Sequence, residues 1–497
     1  MEEIRIIKKN HAVMLVEAEG GTTQELVDYF SFRPEGYQFM PSYKNKFWDG
    51  YVRLYQPRQK ELYTGLFPYL EEFAKQRGYN LRVDNNSVFG LPMVKQNADL
   101  NYMKDLTLTS RQKQIVPRDY QIDAVRHAIE NKQAILLSPT ASGKSFIIYL
   151  LIQYYLRNND KRVLVIVPTT SLVHQMKGDF LDYSEFCGSL NEDMIHIIMS
   201  GKEKDNNKQI VITTWQSVYK LPQSWFEPFG MVIGDEAHTF KAQSLVSIMT
   251  KLTHADYRFG TTGTLDGSQV NKLVLEGLFG PVYKVITTKD LIDGGQLAQF
   301  TIQAIVLKYS EKTRKEFGKK NYQEELDWIV QNEQRNNFIK NLALSLEGNT
   351  LVLFNYVEKH GKPLHRLIEA NSEKDRKVFY VSGETNTDHR EDVRRITEKE
   401  KNAIIVASLG TFSTGINIRN LHNIIFASPS KSQIKVLQSI GRGLRKSDDG
   451  RDTVLYDIID DINNKSKKNY ALQHAIHRME IYSKEQFKFT VHEVPMK

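Results

Sequence analysis

Short, wholly apolar runs punctuate the middle of this chain. Ala134-Ile135-Leu136-Leu137, Val163-Leu164-Val165-Ile166-Val167 and Met231-Val232-Ile233 are separated by longer stretches of helical character. Continuous apolar runs of this length fit strands buried on both faces, and their alternation with helices predicts a doubly wound parallel sheet over residues 117–295. The pattern lapses around Gly294-Gly295-Gln296 and then resumes. Leu351–Phe354, Val378–Val381, Ala403–Ala407 and Asn423–Ala427 predict a second parallel sheet over 296–460. Residues 1–100 read differently. Val13–Ala18 and Arg82–Asp84 read as strands, and Thr23–Phe30 as a helix capped by Thr22 or Thr23. Leu66–Arg77 reads as a second helix ending near Gly78. This describes a small α+β domain. A polar linker over 101–116 reaches Pro117, and a basic tail over 461–497 carries one short helix through His474 and Arg478.

Chemistry enters at Ser138-Pro139-Thr140-Ala141-Ser142-Gly143-Lys144-Ser145, between the first apolar run and Phe146–Leu150. A strand, a tight loop and a helix in that order aim backbone N–H groups and a helix N-terminus at one point, which suits a polyphosphate. Lys144 would reach the β- and γ-phosphates, and the Ser145 hydroxyl would ligate Mg²⁺. The pattern departs from the usual loop at Ser138, where a first Gly is common.

A second set of candidates ends another apolar run, Met231-Val232-Ile233-Gly234-Asp235-Glu236-Ala237-His238. Two adjacent acids at the C-terminal end of a buried strand suit a Mg²⁺ ligand, Asp235, beside a base that deprotonates water, Glu236. Acids capping a solvated strand end would read the same in isolation.

Asp-Glu-Ala-His, taken with the motifs around it, resembles superfamily 2 helicases. Arg118-Asp119-Tyr120-Gln121 lies upstream, where that family reads adenine through the Gln. Val167–Leu172, Val211–Ser217, Gly260-Thr261-Thr262-Gly263-Thr264, Thr350–Phe354, Ser408–Asn417 and Gln438–Arg445 follow in the family's order. The resemblance spans about residues 115–460. It implies two RecA-like lobes in tandem and ATP with Mg²⁺ as cofactors. It places Arg118, Gln121, Ser138, Thr140, Ala141, Ser142, Gly143, Gly415 and Asn417 around the nucleotide, and Arg442 and Arg445 as cations completing the site from the second lobe. His238, Thr262, Thr264 and Gln438 would couple hydrolysis to movement. Thr169, Lys202, Thr213, Thr214, Ser382 and Thr411 would face nucleic acid. Two departures matter. Ala141 replaces a common Gly, so a positive φ there would be strained. Asn417 replaces a more usual Asp, which keeps hydrogen bonding but no charge.

Between the two N-terminal helices, Tyr37–Arg53 interleaves aromatics with cations. Its Phe47-Trp48-Asp49-Gly50 turn resembles the N-terminal domain of the phage UvsW helicases, whose members are implied to remodel forks, Holliday junctions and R-loops. Lys46 and Trp48 are the candidate DNA contacts here. An ordinary hairpin with one packed face, carrying Tyr51, Arg53 and Tyr55, fits as well.

Composition adds bounds. The chain has 497 residues, enough for several domains, and 40% hydrophobic residues, enough for full cores. Cys187 is the single cysteine, so no internal disulfide and no cysteine-cluster metal site can form. The net charge is +8, with the excess beyond residue 300, which suits salt-sensitive contact with a phosphate backbone. No apolar run is long enough for a membrane helix, and the charged start lacks a signal-peptide core, so a cytosolic monomer is expected, without a protein partner. The combined expectation is an ATP-dependent helicase or translocase on branched DNA, RNA–DNA hybrids included. An RNA-remodelling ATPase and a non-enzymatic nucleic-acid scaffold are the rivals.

Overall fold

The computed structural model describes every residue except 1, 35, 200–206, 241, 266–270, 318–320, 386–392, 394, 395, 398, 412–419, 430–449, 464–468 and 497. By its internal contacts the chain divides into two compact units, residues 1–138 with 143–286, and residues 139–142 with 287–497.

The first unit opens with a four-stranded sheet. Strand β1 (Glu3–Lys8) lies between β2 (Val13–Glu17), antiparallel, and β4 (Asn80–Asp84), parallel; β3 (Glu61–Tyr63) extends the β2 edge. Ile4 and Ile6 point inward while Arg5 faces out and pairs with Asp84 at 2.6 Å. Helices α1 (Gly20–Tyr29) and α2 (Phe67–Arg77) supply Leu26, Leu70 and Phe73 to the core. Helix α2 ends on Gly78 at φ +70°, as expected. Helix α1 does not use the expected threonine cap. Its N-cap is Glu19, because the Thr22 hydroxyl is buried and donates to the Glu2 carboxylate, tying the helix to the N-terminus of β1.

Within the same unit, the turn and helix that follow β3 pack on the helix Lys272–Phe279. A Cβ on Gly65 would stand 2.1 Å from the Glu276 carbonyl oxygen and 2.8 Å from that of Gly277, so only a glycine admits this backbone approach. Tyr69 OH donates to the Glu276 carboxylate at 2.6 Å.

The first parallel sheet has seven strands. They are β5 (Gln133–Leu137), β6 (Arg162–Val167), β7 (Ile195–Ile198), β8 (Ile210–Thr214), β9 (Phe229–Asp235), β10 (Tyr257–Thr262) and β11 (Val282–Lys284), in the order β7-β8-β6-β9-β10-β5-β11. All pairings are parallel. Flanking helices include α3 (Asp119–Asn131), α4 (Lys144–Asn158), α5 (Thr170–Ser184), α6 (Ala242–Lys251) and α7 (Lys272–Phe279). Gly234 and Gly260 are direct neighbours across β9 and β10, and the Phe279 ring fills the space their missing side chains leave. Arg258, buried on β10, donates to the carbonyls of Met249, Leu252 and Leu278, which fastens the ends of α6 and α7 under the sheet.

The second unit repeats the design. Its strands β12 (Phe300–Lys308), β13 (Thr350–Phe354), β14 (Val378–Val381), β15 (Ile404–Ser408), β16 (Asn423–Phe426), β17 (Thr453–Asp461) and β18 (Lys488–Pro495) run β14-β15-β13-β16-β17-β12-β18, again all parallel. Two buried ion pairs hold β17 to its helices, Arg335 to Asp460 and Arg478 to Asp457, each joined by a tyrosine hydroxyl, Tyr309 or Tyr482. The expected tail helix is present as α8 (Tyr470–Lys484), and it carries Arg478. The tail also contributes β18, an exposed edge strand whose state comes from pairing with β12 rather than from burial.

Candidate functional site

The C-terminal ends of β5, β9 and β10 lie side by side, so the loops leaving them meet. The loop after β5 runs to Gly143, the N-cap of α4, at φ +83°. A Cβ there would stand 2.4 Å from Gln121 Nε2, so the glycine lets the loop close against that amide. Gln121 is buried, and its Oε1 accepts from Arg118 N at 3.0 Å; the Arg118 guanidinium donates to Tyr120 OH at 3.0 Å. Ala141 has φ +67°, a conformation that costs a non-glycine residue about 1–2 kcal/mol. Ser142 Oγ donates to the Pro139 carbonyl at 2.7 Å, while Thr140 is half-buried.

Lys144 is the centre of the arrangement. Its Nζ lies 3.3 Å from the Ser138 carbonyl and 3.1 Å from Glu236 Oε1. Ser138 is also tied to β10, its N–H donating to the Thr262 carbonyl at 2.8 Å. Ser145 Oγ is 2.9 Å from Tyr183 OH on α5. At the end of β9, Asp235 Oδ1 accepts from Thr261 Oγ1 at 2.7 Å. Glu236 turns out of the strand at φ +48°, a second strained residue, and its Oε2 accepts from Gly263 N at 3.4 Å. His238 Nδ1 lies 3.5 Å from that same oxygen and in hydrogen-bond contact with Thr262 Oγ1. Thr262 gives its own proton to the Thr264 carbonyl at 2.7 Å, so Nδ1 of His238 carries the hydrogen.

The electrostatics separate the two acids. Burial, reinforced by the neighbouring Glu236 charge, pushes Asp235 above the usual carboxylate range. Burial pushes Glu236 the same way, but Lys144 and His238 outweigh it and hold this carboxyl below its usual value. Among the described residues, the buried Asp235 and the partly buried Glu236 thus share one ammonium, and this part of the site is short of positive charge.

The residues expected to face nucleic acid have other local partners. Thr169 caps α5, accepting from Leu172 N at 3.4 Å. Thr213 is buried and donates to the Ile198 carbonyl at 3.1 Å; Thr214 pairs with Ser217 at 3.0 Å. Ser382 is buried and Thr411 lies 2.6 Å from Ser408 Oγ. Trp48 is half-buried and its indole N–H donates to the Tyr51 carbonyl at 2.7 Å. Lys46 is exposed at φ +59°. Lys202, Gly415, Asn417, Gln438, Arg442 and Arg445 lie outside the described residues. Four residues at these places carried no individual expectation: Tyr183 on Ser145, Thr261 on Asp235, and the exposed rings of Phe39 and Phe47, 70% and 86% accessible. The aromatic–cation interleaving was the available signal for Phe39 and Phe47. A tyrosine from a separate helix left none.

Comparison with known proteins agrees with this geometry. Residues 3–84 match the N-terminal domain model of DNA helicase UvsW, residues 114–267 that of the type III restriction enzyme res subunit, and residues 333–447 the conserved C-terminal helicase domain. The ATP-dependent DNA helicase uvsW of Enterobacteria phage T4 is 36% identical over 98% of this chain and 99% of its own length. The DNA 3'-5' translocase XPB2 of Sulfurisphaera tokodaii is 23% identical over 69% of this chain and 81% of its own. The crystal structure of T4 UvsW superposes with a TM-score of 0.53, at 34% identity and full coverage of both chains. With that identity along essentially its whole length, the chain belongs to the UvsW family of ATP-dependent DNA helicases.

Proposed function

We propose that this protein hydrolyses ATP at the Lys144–Asp235–Glu236 site and uses the cycle to unwind or branch-migrate forked and four-way DNA, including RNA–DNA hybrids. The observation that carries the chemistry is the bridge made by Lys144 between the Ser138 carbonyl and Glu236. A triphosphate laid on the loop would compete for that ammonium, releasing Glu236 from its counter-ion. Glu236 is held ionised and is aimed by the Gly263 N–H, so it can take the proton of an attacking water. Arg442 and Arg445 are proposed, on their motif alone, as the cations that meet charge developing on the γ-phosphate.

Ser145 and Asp235 are hard oxygen donors, and the local excess of negative charge fits a divalent cation. With Asp235 Oδ1 held by Thr261, the second oxygen is the one that would bind Mg²⁺. When bound, Mg²⁺ would neutralise charge on the β- and γ-phosphates. Tyr183 orients the Ser145 hydroxyl for that purpose. Beside the site, the His238–Thr262–Thr264 chain is the route by which the position of Glu236 would reach the segment after β10.

For DNA, the N-terminal domain offers Phe39 and Phe47, flanked by Lys44 and Lys46, as base-stacking rings among phosphate-binding cations. Trp48 acts as the strut of that turn. A single chain carries every motif, so a monomer suffices. The test is ATP turnover with no nucleic acid, single-stranded DNA, a four-way DNA junction and RNA side by side. Strongest stimulation by the junction is expected; stimulation by RNA alone would overturn the DNA reading.

A further inference from the structure

A cavity of about 170 Å³ opens where the N-terminal sheet meets the first parallel sheet. Its polar lining is unusual. Lys8, at the end of β1, is only 7% exposed, yet among the described residues its ammonium makes no hydrogen bond and no ion pair. Gln133, the first residue of β5, is 4% exposed, and its Oε1 has no donor among the described residues. His11 Nδ1 is buried and likewise has no partner among them. The other charges nearby are already engaged: Lys132 binds Asp256 at 2.8 Å and covers the Tyr257 ring. The remaining wall combines the apolar stretch that includes Phe89, Pro92 and Met93 with the amides of Gln96 and Asn131.

An ammonium on a largely buried side chain with no anion beside it is costly. Burial, only partly offset by Asp256 and worsened by Lys132 and Arg258, draws Lys8 down to about 8. The lining therefore asks for three things: one negative charge for Lys8, one hydrogen-bond donor for Gln133 Oε1, and a small apolar body against the Phe89 side. The volume is well above the roughly 10–15 Å³ that one water needs.

We propose that this cavity is a binding site for a small organic monocarboxylate bearing a hydroxyl or amino donor. The site joins elements from both sheets: Lys8 and His11 come from the N-terminal domain, and Gln133 from the first lobe. Further bonds already close this seam, His11 N to the Thr253 carbonyl at 3.2 Å and Gln96 Nε2 to the Ile129 carbonyl at 2.9 Å. A ligand bound here would therefore brace the DNA-facing domain against the ATPase lobe.

The test uses the full chain with sodium lactate as the probe and sodium chloride at matched ionic strength as the control, read by calorimetry and by thermal shift. Lactate is expected to bind with one site per chain and to raise the melting temperature beyond the chloride control. Lys8→Met should weaken binding at least tenfold. Gln133→Glu, which places a carboxylate in the cavity, should raise the melting temperature without ligand and abolish the lactate response; this variant keeps the test decisive should Lys8→Met fold poorly. Equal responses to lactate and chloride would overturn the proposal in favour of a water-filled cavity. Lactate binding that is unchanged in both variants would place the ion elsewhere and overturn it as well.

Discussion

Replacing Lys144 and Glu236 one at a time separates their electrostatic roles from the catalytic ones proposed for them. In the folded chain the Lys144 ammonium lies 3.1 Å from Glu236 and also acts electrostatically on the buried Asp235. Lys144→Ala leaves both acids without a cation. Stranding a buried charge costs about 3–5 kcal/mol, and proton uptake by Asp235, which burial already favours, lowers this to roughly 2–4 kcal/mol. For a unit of this size each kcal/mol moves the melting temperature by about 2 °C, so a drop of about 4–8 °C is expected for the nucleotide-free protein. Glu236→Gln acts differently. It removes an attraction to Lys144 that outweighs the cost of burial, but also a repulsion of Asp235, so a smaller drop in melting temperature than for Lys144→Ala is expected. ATP turnover should fall by roughly 10²–10⁴-fold in Glu236→Gln, the range for loss of a general base, and at least as far in Lys144→Ala. The assays are thermal melting without nucleotide and steady-state phosphate release with a DNA junction. Normal turnover by either purified variant would sink the site assignment. A Lys144→Ala protein as stable as the parent, beside a strongly destabilised Glu236→Gln, would refute the charge argument.

Phe47→Ala should weaken binding to a four-way junction roughly 5–150-fold by fluorescence anisotropy, since stacking one base on an aromatic ring contributes about 1–3 kcal/mol; unchanged affinity would remove this ring from the DNA surface. Tyr183→Phe deletes the hydroxyl that holds Ser145 and should raise the Mg²⁺ concentration for half-maximal nucleotide binding by roughly 2–12-fold, the equivalent of one hydrogen bond; an unshifted Mg²⁺ titration would contradict the orienting role. His360 is buried between Ser428 and Asn336, and burial, with the Arg335 charge, lowers it to about 3. A folded value below the unfolded one gives stability that is complete above about pH 6.5 and is lost as the pH falls toward 3. On the order of 3 kcal/mol should therefore disappear between pH 7 and pH 4, and His360→Gln should flatten that acid limb in urea melts. An equally steep limb in the variant would show that other groups dominate it.

The parts of this protein that were legible in its sequence are those whose pattern is also their cause. Runs such as Val163–Val167 are buried on both faces of a parallel sheet, and nothing polar interrupts them. The loop at Ser138–Ser145 was legible because its glycine and lysine are dictated by local geometry, and Ala141 takes the strained conformation its position demands. Three features were not. Strand β18 is exposed along nearly its whole length, so no burial pattern marks it; pairing with β12 alone makes it a strand. The start of α1 was misplaced because the Thr22 hydroxyl has a distant partner, Glu2, that a local capping rule cannot see. At the N-terminal turn the order of importance among neighbours was hidden. Whether Phe47 or Trp48 faces solvent depends on a single indole N–H finding the Tyr51 carbonyl.

The site residues share a further property that follows from where they stand. Glu236 Oε1 touches Lys144, while Oε2 touches Gly263 N and approaches His238. One carboxylate therefore faces the loop after β5 with one oxygen and the end of β10 with the other. Anything that draws Lys144 toward a phosphate changes the charge balance on Glu236, and among the described residues the Gly263 amide and the His238 ring are the neighbours of its other oxygen. His238 in turn bonds Thr262, which bonds the Thr264 carbonyl. This chain is short and buried, so it has few alternative arrangements and passes a displacement on instead of absorbing it. The strained backbone at Glu236 belongs to the same logic: φ +48° turns the carboxylate out of β9 and places its two oxygens between the two loops. A glutamate left in regular strand geometry would point to one face of the sheet and could address only one of them.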